Sequence, residues 1–214
     1  MSGTGAYDSQ IIGHVCVDVN VDVTGAESRV IGGAAACAAG AAVSLGHRVE
    51  VVTAVGEGDE DLLSCFPPAV ERIIAVPSRR TTSIRNVYRT QDRERRVSHG
   101  LEQGDPIGPE DVPDEPVGVR HLAGLIVGDY APDMVDSLSG RGDTAVDMQA
   151  FLRVRSQRTG ELDLRGSTAG EDFFGRIRYL KVDAAEGEAL TGLSDRRDMA
   201  RALRDRGARE VMVS

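Results

Sequence analysis

The sequence has 214 residues, a formal net charge of −9, 41% hydrophobic and 28% charged residues, a globular balance that excludes an intrinsically disordered chain. That length buries a sizeable core as one large domain or two small ones, and with aromatics at 4% and no Trp the core rests on Val, Ile, Leu and Ala. No run approaches the roughly 20 apolar residues that span a bilayer, and the acidic balance argues against a nucleic-acid partner.

The opening MSGTGAYDSQ lacks the basic and apolar regions of a signal peptide, so a cytoplasmic protein is expected. IIGHVCVDVNVDV (Ile11 to Val23) follows, with Val15, Val17, Val19, Val21 and Val23 on one parity, and reads as a single strand. IGGAAACAAGAAVSLGH (Ile31 to His47) reads as a helix with Gly32-Gly33 at its start and Gly46 at its end. VEVVTAVG (Val49 to Gly56) is a second, buried strand. GDEDLLSCF carries acids in its first turn as a helix should, and it stops at Pro67-Pro68.

RIIAV (Arg72 to Val76) is a third strand. TTSIRNVYRT and ERRVSHG, joined by Gln91-Asp92-Arg93, are polar, β-branched runs that predict a solvent-facing hairpin. The Pro- and acid-rich stretch Asp105 to Gly118 is a connector. Beyond it, Val119 to Gly128 is a strand, PDMVDSLSGRG a helix, Asp143 to Gln149 a strand and Arg176 to Asp183 another. AAEGEALTG is a short helix capped by Gly192, and SDRRDMARALRDRG a helix with Ser194 as N-cap and Gly207 as C-cap. REVMVS is a last strand with no helix after it, so the natural domain is expected to continue past Ser214. Strands alternating with helices predict an α/β fold, a mostly parallel sheet covered on both faces.

Cys16, Cys37 and Cys65 are scattered with no CxxC, which reads as reduced thiols, and the four His form no paired spacing for a metal. The strongest local signal is a strand ending in Asp18, followed by Gly32-Gly33 at a helix start. A carboxylate there can accept hydrogen bonds from hydroxyls, and paired glycines let a ligand approach the backbone and the N–H groups behind it. An incidental surface acid beside a tight turn is the alternative. No GxGxxG follows the first strand, which disfavours a dinucleotide-binding module.

IIGHVCVD, then GGAAACAAGAAVSLGHRVEVVTAVGEGDED, resembles the N-terminal signature of the ribokinase-like (PfkB-type) carbohydrate kinases. KVDAAEGEALTG is similar to that family's Asn-x-x-Glu element followed by Leu-Thr-Gly, and ARALRDRGAREVMVS to the helix and strand after it. TTSIRNVYRTQDRERRV resembles the family's β-lid, and HLAGLIVGDYAPDMVDSL with DTAVDMQAFLRV a branch that includes inositol-kinase-like members. The resemblance covers essentially the whole chain. It implies one three-layer α/β/α kinase domain over 1–214, incomplete at its C-terminus, with a mostly parallel sheet and a lid hairpin at about 79–100.

The implied reaction is phosphoryl transfer from ATP, with Mg²⁺, to a hydroxyl of a sugar, an inositol-like polyol or a nucleoside. Asp18, Gly32, Gly33 and Cys37 fall on acceptor-binding positions, with Asn86 and Tyr88 as lid contacts. Glu186 falls on the acid that organises Mg²⁺ through water, and Asp183 on the family's Asn near the phosphates; both also suit a helix's first turn. Cys37 stands where the family carries an Asn, and as a thiol it is a weak donor that would equally serve as a small core residue. The catalytic base belongs to a Gly-Ala-Gly-Asp element expected beyond Ser214. These 214 residues are therefore expected to be inactive, or to be a non-catalytic sugar-binding or regulatory derivative. A homodimer through the lid is a further implication.

Overall fold

The computed structural model of the chain describes residues 6–91, 96–165, 170 and 172–214; the tip of the expected hairpin, 92–95, lies outside them. In chain order the elements are β1 (Tyr7–Ile12), β2 (Cys16–Val21), β3 (Glu27–Gly32), α1 (Ala34–Ser44), β4 (Val49–Gly56), β5 (Arg72–Ser78), β6 (Thr82–Tyr88), β7 (Arg96–Glu102) and β8 (Val117–Leu122). Then come α2 (Met134–Ser139), β9 (Thr144–Asp147), α3 (Gln149–Leu152), β10 (Arg153–Arg155), β11 (Leu162–Leu164), β12 (Tyr179–Val182), α4 (Ala184–Thr191), α5 (Arg196–Asp205) and β13 (Glu210–Val213).

Seven strands form the central sheet in the order β13-β12-β9-β8-β1-β4-β5, every pair parallel. Successive side chains point to opposite faces of a strand, and the burial follows that alternation. Ile11, Val49 and Val51 pack under Ala35 and Ala39 of α1 on one face. Ile12, Val52, Leu122, Val146 and Leu180 pack with Met134 and Leu138 of α2 and Leu203 of α5 on the other. The result is three layers, as expected.

Near one end of this sheet a polar row crosses five strands. Register aligns Arg72 with Glu50, Glu50 with Gln10, Gln10 with Arg120, and Arg120 with Thr144. Glu50, Gln10, Arg120 and Thr144 are all buried. Glu50 accepts from Gln10 Nε2 at 2.6 Å and pairs with Arg72 at 3.1 Å, while Arg120 donates to the carbonyls of Arg141 and Glu115.

A second sheet, β3-β2-β6-β7, stands beside the first, with β2 parallel to β6 and its other pairs antiparallel. The expected hairpin is therefore half of a four-stranded sheet. It is not wholly solvent-facing, because Thr82, Ile84, Asn86 and Ser98 are buried. β10 and β11 form an antiparallel ribbon that meets β7 through Gly100 N–H to the Gly160 carbonyl at 2.9 Å.

Several expected elements are redrawn. Ile11 to Val23 is not one strand: the chain leaves the central sheet at Gly13, where any Cβ would collide with the Ala123 carbonyl oxygen. The parity of the valines runs unbroken through this corner, so the pattern could not reveal it. Ile31 and Gly32 end the exposed strand β3, not the helix, which starts at Ala34. Glu60–Cys65 is a 3-10 turn. The strand expected over Val119 to Gly128 stops at Leu122, and that over Arg176 to Asp183 is confined to Tyr179–Val182. Asp195, not Ser194, caps α5 by accepting from the N–H groups of Arg197 and Asp198. Gly192 ends α4 in the left-handed conformation at φ 71°, as expected.

Candidate functional site

The four-stranded sheet carries a polar face. Register places Asn20 opposite Asn86, Asn86 opposite Ser98 and Tyr88 opposite Arg96, and alternation puts Asp18 on the same side. Asn86 organises the group. Its Nδ2 donates to Asp18 Oδ1 and to Asn20 Oδ1, both at 3.2 Å, and its Oδ1 accepts from Ser98 Oγ at 2.7 Å. Asp18 Oδ1 also lies 3.8 Å from Cys16 Sγ, while no described residue hydrogen-bonds to Oδ2. Burial holds the Asp18 carboxyl above the usual carboxylate range, against the Asn86 hydrogen bond and the charges of Arg96 and Arg153. A desolvated carboxylate with one oxygen fixed and the other open is poised to accept a hydroxyl.

The paired glycines stand next to it. Cys16 is the register partner of Gly32, and Gly33 turns the chain from β3 into α1 with φ 102° and ψ 174°. A Cβ on Gly33 would approach the His14 carbonyl oxygen to 2.9 Å, whereas one on Gly32 would meet nothing within 4 Å. Gly33 offers no side-chain cap, so the first-turn N–H groups of α1 are not taken up by one. The two positions predict opposite phenotypes. Gly33→Ala is expected to destabilise the fold by about 1–3 kcal/mol, the strain of a backbone region reserved for glycine. Gly32→Ala is expected to stay within about 0.5 kcal/mol of the parent while weakening binding in the open space beside Asp18. Urea unfolding of both variants checks the first statement and calorimetry the second.

Asp183 and Glu186 sit where β12 passes into α4. Asp183 Oδ1 accepts from Glu186 N–H at 2.7 Å, and Glu186 Oε2 accepts from Asp183 N–H at 2.8 Å. This reciprocal cap satisfies two helix-end donors. Glu186 is 2% exposed, and burial, helped by the charges of Asp183 and Asp147, pushes its carboxyl up to about 6.

Tyr88 reaches the polar face through its hydroxyl, 3.5 Å from Asn20 Oδ1. Cys37 is exposed and so is not a core residue. It lines a groove of about 680 Å³ beside α1 with His121, Asp147, Lys181 and Met212. A separate aromatic pocket of about 460 Å³ is lined by Tyr130, Phe151, Phe173, Asp136 and Arg176. Sequence reasoning passed over Asn20, Ser98, Arg96 and Arg153. Asn20 shares the parity of Asp18 and could have been read; the others join the site only through pairing between distant segments.

No protein-family model and no curated protein matches the sequence. Among solved structures, a sulfate complex of a pyrophosphate-dependent kinase in the ribokinase family superposes with a TM-score of 0.86 at 28% identity, covering 96% of this chain and 72% of that one. The chain has the ribokinase-like fold. Within that fold it is similar to inositol-kinase-like members. A pyrophosphate-dependent ribokinase-family kinase complexed with a pyrophosphate analog and myo-inositol matches with a TM-score of 0.85 at 28% identity, over 96% of this chain and 72% of the other. A pyrophosphate-dependent myo-inositol-1 kinase converted into a myo-inositol-3 kinase by two substitutions matches at 0.83 and 26%, over 96% and 70%.

Ribokinase-like kinases imply a divalent cation, and the carboxylates fit it in one way only. Among the described residues no cluster of three or more His, Cys, Asp or Glu could hold a metal ion directly. Asp183 and Glu186 each have one oxygen engaged in the helix cap, which leaves the second for a metal-bound water. That suits Mg²⁺, which keeps several waters and takes few protein ligands.

The charge on Glu186 has a stability consequence. Its folded value near 6 exceeds the ordinary 4.5, so the group's contribution to stability is full below pH 4.5 and is lost as pH rises through 6. Glu186→Gln keeps an oxygen for the Asp183 N–H and carries no charge. It is expected to be more stable than the parent by up to about 2 kcal/mol near neutral pH, with the difference vanishing in acid. Urea midpoints for both proteins across that range test the sign.

Proposed function

We propose that this chain is an ATP- or pyrophosphate-dependent kinase domain that phosphorylates a hydroxyl of an inositol-like polyol, with sugars and nucleosides as weaker acceptors. The observation that carries the reading is Asp18, held by Asn86 on the lid face with Oδ2 open, next to the uncrowded Gly32. The myo-inositol complex of a similar kinase supports the acceptor class, and the pyrophosphate dependence of that kinase supports the donor class.

In this reading Asp18 accepts hydrogen bonds from acceptor hydroxyls and fixes which one faces the donor. Asn86 orients Asp18, Tyr88 closes the outer end, and Gly32 and Gly33 admit the ring against the backbone, with Cys37 one turn further along α1. The lid excludes water, so that positioning and electrostatics govern the transfer. Asp183 and Glu186 face the donor side, where a bound Mg²⁺ would neutralise charge on the phosphate oxygens. Residues 1–214 act as one kinase domain with residues 79–100 in its lid, in the cytoplasm, where Cys16, Cys37 and Cys65 stay as free thiols. The lid's outer strand β3, with Val30 50% and Ile31 40% exposed, is the edge through which two copies pair.

The general base is assigned to a Gly-Ala-Gly-Asp element that these 214 residues do not contain. By themselves they are expected to bind the acceptor without turning it over. Calorimetry with myo-inositol, ribose and adenosine, alongside product detection with ATP or pyrophosphate, tests this. Binding of myo-inositol above the other two supports the reading. Binding of none of them contradicts it, and polyol binding with no response to either donor favours the non-catalytic derivative.

A further inference from the structure

The chain leaves the central sheet for the four-stranded one after β1 and after β5, and returns after β3 and after β7. His14 lies in the first of these crossings and meets each of the others. Its carbonyl faces Gly33, where a Cβ would come within 2.9 Å of the oxygen. Its ring lies against Gly104, where a Cβ would sit 3.2 Å from Cε1 and 3.1 Å from the Arg80 carbonyl oxygen. Its Nδ1 is 2.8 Å from Thr82 Oγ1, which also accepts from Gly104 N–H at 3.0 Å.

The same nitrogen stands 3.6 Å from Asp129 Oδ1. Asp129 is buried and held by the N–H groups of Leu125 at 2.7 Å and Ile126 at 3.1 Å, just past central strand β8. Gln103, where the chain leaves β7, donates from Nε2 to the same Oδ1 at 3.1 Å. A proton on His14 Nδ1 is attracted by the hydroxyl and the carboxylate together, whereas a lone pair there would face the carboxylate. His14 is 0% exposed, and its Nε2 has no partner among the described residues. An apolar residue of that bulk would avoid the cost of an idle buried nitrogen. What the imidazole adds is a link of fixed direction between the two sheets.

We propose that His14 is a positioning residue that pins the four-stranded sheet to the central one through its Nδ1 edge. The pin sits at the foot of the polar face, since Thr82 is the register partner of Cys16, two residues before Asp18. Fixing Thr82 against Asp129 therefore fixes how Asp18 and Asn86 stand beside the Gly32-Gly33 turn. The pin stands on these contacts alone; that the face it sets is an acceptor site rests on the kinase reading above.

The test is amide hydrogen exchange, read by NMR on the 214-residue chain, with urea unfolding and myo-inositol calorimetry beside it. Two other bonds cross the junction and serve as reporters: Val15 N–H donates to Thr53 Oγ1 at 2.7 Å, and Gly56 N–H to Thr81 Oγ1 at 2.9 Å. In His14→Leu both N–H groups are expected to exchange about 10- to 100-fold faster, the effect of removing one or two hydrogen bonds from a local opening. Thr53 and Thr81 are untouched, so the acceleration reports the junction and not a lost acceptor. Val51, inside the central sheet, is expected to change no more than the urea midpoint accounts for. His14→Asn keeps an N–H where Nδ1 stands and should return exchange to within about threefold of the parent, whereas His14→Gln, which reaches past that position, should not. If His14→Leu does not fold, Thr82→Val and Thr82→Ser, without and with the hydroxyl, give the same comparison. Exchange that rises equally throughout both sheets, or that neither His14→Asn nor Thr82→Ser restores, overturns the pin. Myo-inositol affinity of His14→Leu should fall about tenfold, because apparent affinity scales with the fraction of molecules in the competent arrangement. Acceleration confined to the junction in a protein whose parent ignores myo-inositol would keep the pin and sink the kinase reading; myo-inositol binding with uniform exchange would do the reverse.

Discussion

Replacing Asp18 by Asn is expected to reduce affinity for a polyol acceptor by about 10²- to 10³-fold with the fold intact. A hydrogen bond to a charged group contributes about 1.5–3 kcal/mol, and a carboxylate oxygen between neighbouring ring hydroxyls accepts more than one. The amide is nearly isosteric, and it can still accept from Asn86 Nδ2, which now reaches Asp18 Oδ1 at 3.2 Å. Stability should not fall, because burial already disfavours the Asp18 charge. Calorimetry with myo-inositol measures the first effect and urea unfolding the second. Affinity retained within about threefold would remove Asp18 from the binding site.

The largest stability effect is expected at Glu50. Glu50→Ala should lower unfolding free energy by about 3 kcal/mol, because it leaves the buried Gln10 amide without its acceptor and the buried Arg120 without a carboxylate neighbour. Glu50 is fully buried, bonded to Gln10 at 2.6 Å and paired with Arg72 at 3.1 Å. Its charge also helps offset the burial that depresses Arg120. Glu50→Gln keeps a hydrogen bond to Gln10 but removes the charge, so it should fall between the parent and Glu50→Ala. Urea unfolding at neutral pH gives the ordering; a loss below about 1 kcal/mol for Glu50→Ala would mean that the polar row is solvated.

Much of this fold was legible because its signals are local. Val49 to Gly56 is a continuous apolar run bounded by glycine, and it forms β4 with those limits. The α4–α5–β13 segment announces itself through Asp183 and Gly192 and the apolar spacing of Met199 and Leu203, both buried. What escaped was non-local or ambiguous. The valine alternation runs straight through Gly13, where contact with Ala123 diverts the chain into another sheet. β3 hides because five of its six residues are exposed and it ends in glycines that also suit a helix start. Gln10, Glu50 and Arg120 look like unrelated polar residues until the parallel register aligns them.

The site divides in the same way. Asp18, Gly32 and Gly33 were readable from a short motif, and each has a local feature that suits its proposed role: an open oxygen, an empty space and a backbone turn without a Cβ. Asn86 was readable from its hairpin. Ser98 becomes part of the polar face only after strand pairing brings it, 12 positions away, to Asn86. In Asp183 and Glu186 the helix cap engages one oxygen of each carboxylate, which leaves the other for the donor-side role proposed above.

The central claim is that a polyol ring binds between the polar face of the lid and the glycine turn. A backbone-amide NMR titration with myo-inositol tests it most directly. The account predicts saturable shifts concentrated at Asp18, Gly32, Gly33 and Asn86, and their loss in Asp18→Asn. Shifts centred instead on the aromatic pocket at Tyr130, Phe151 and Phe173, or none at saturating polyol, would contradict it.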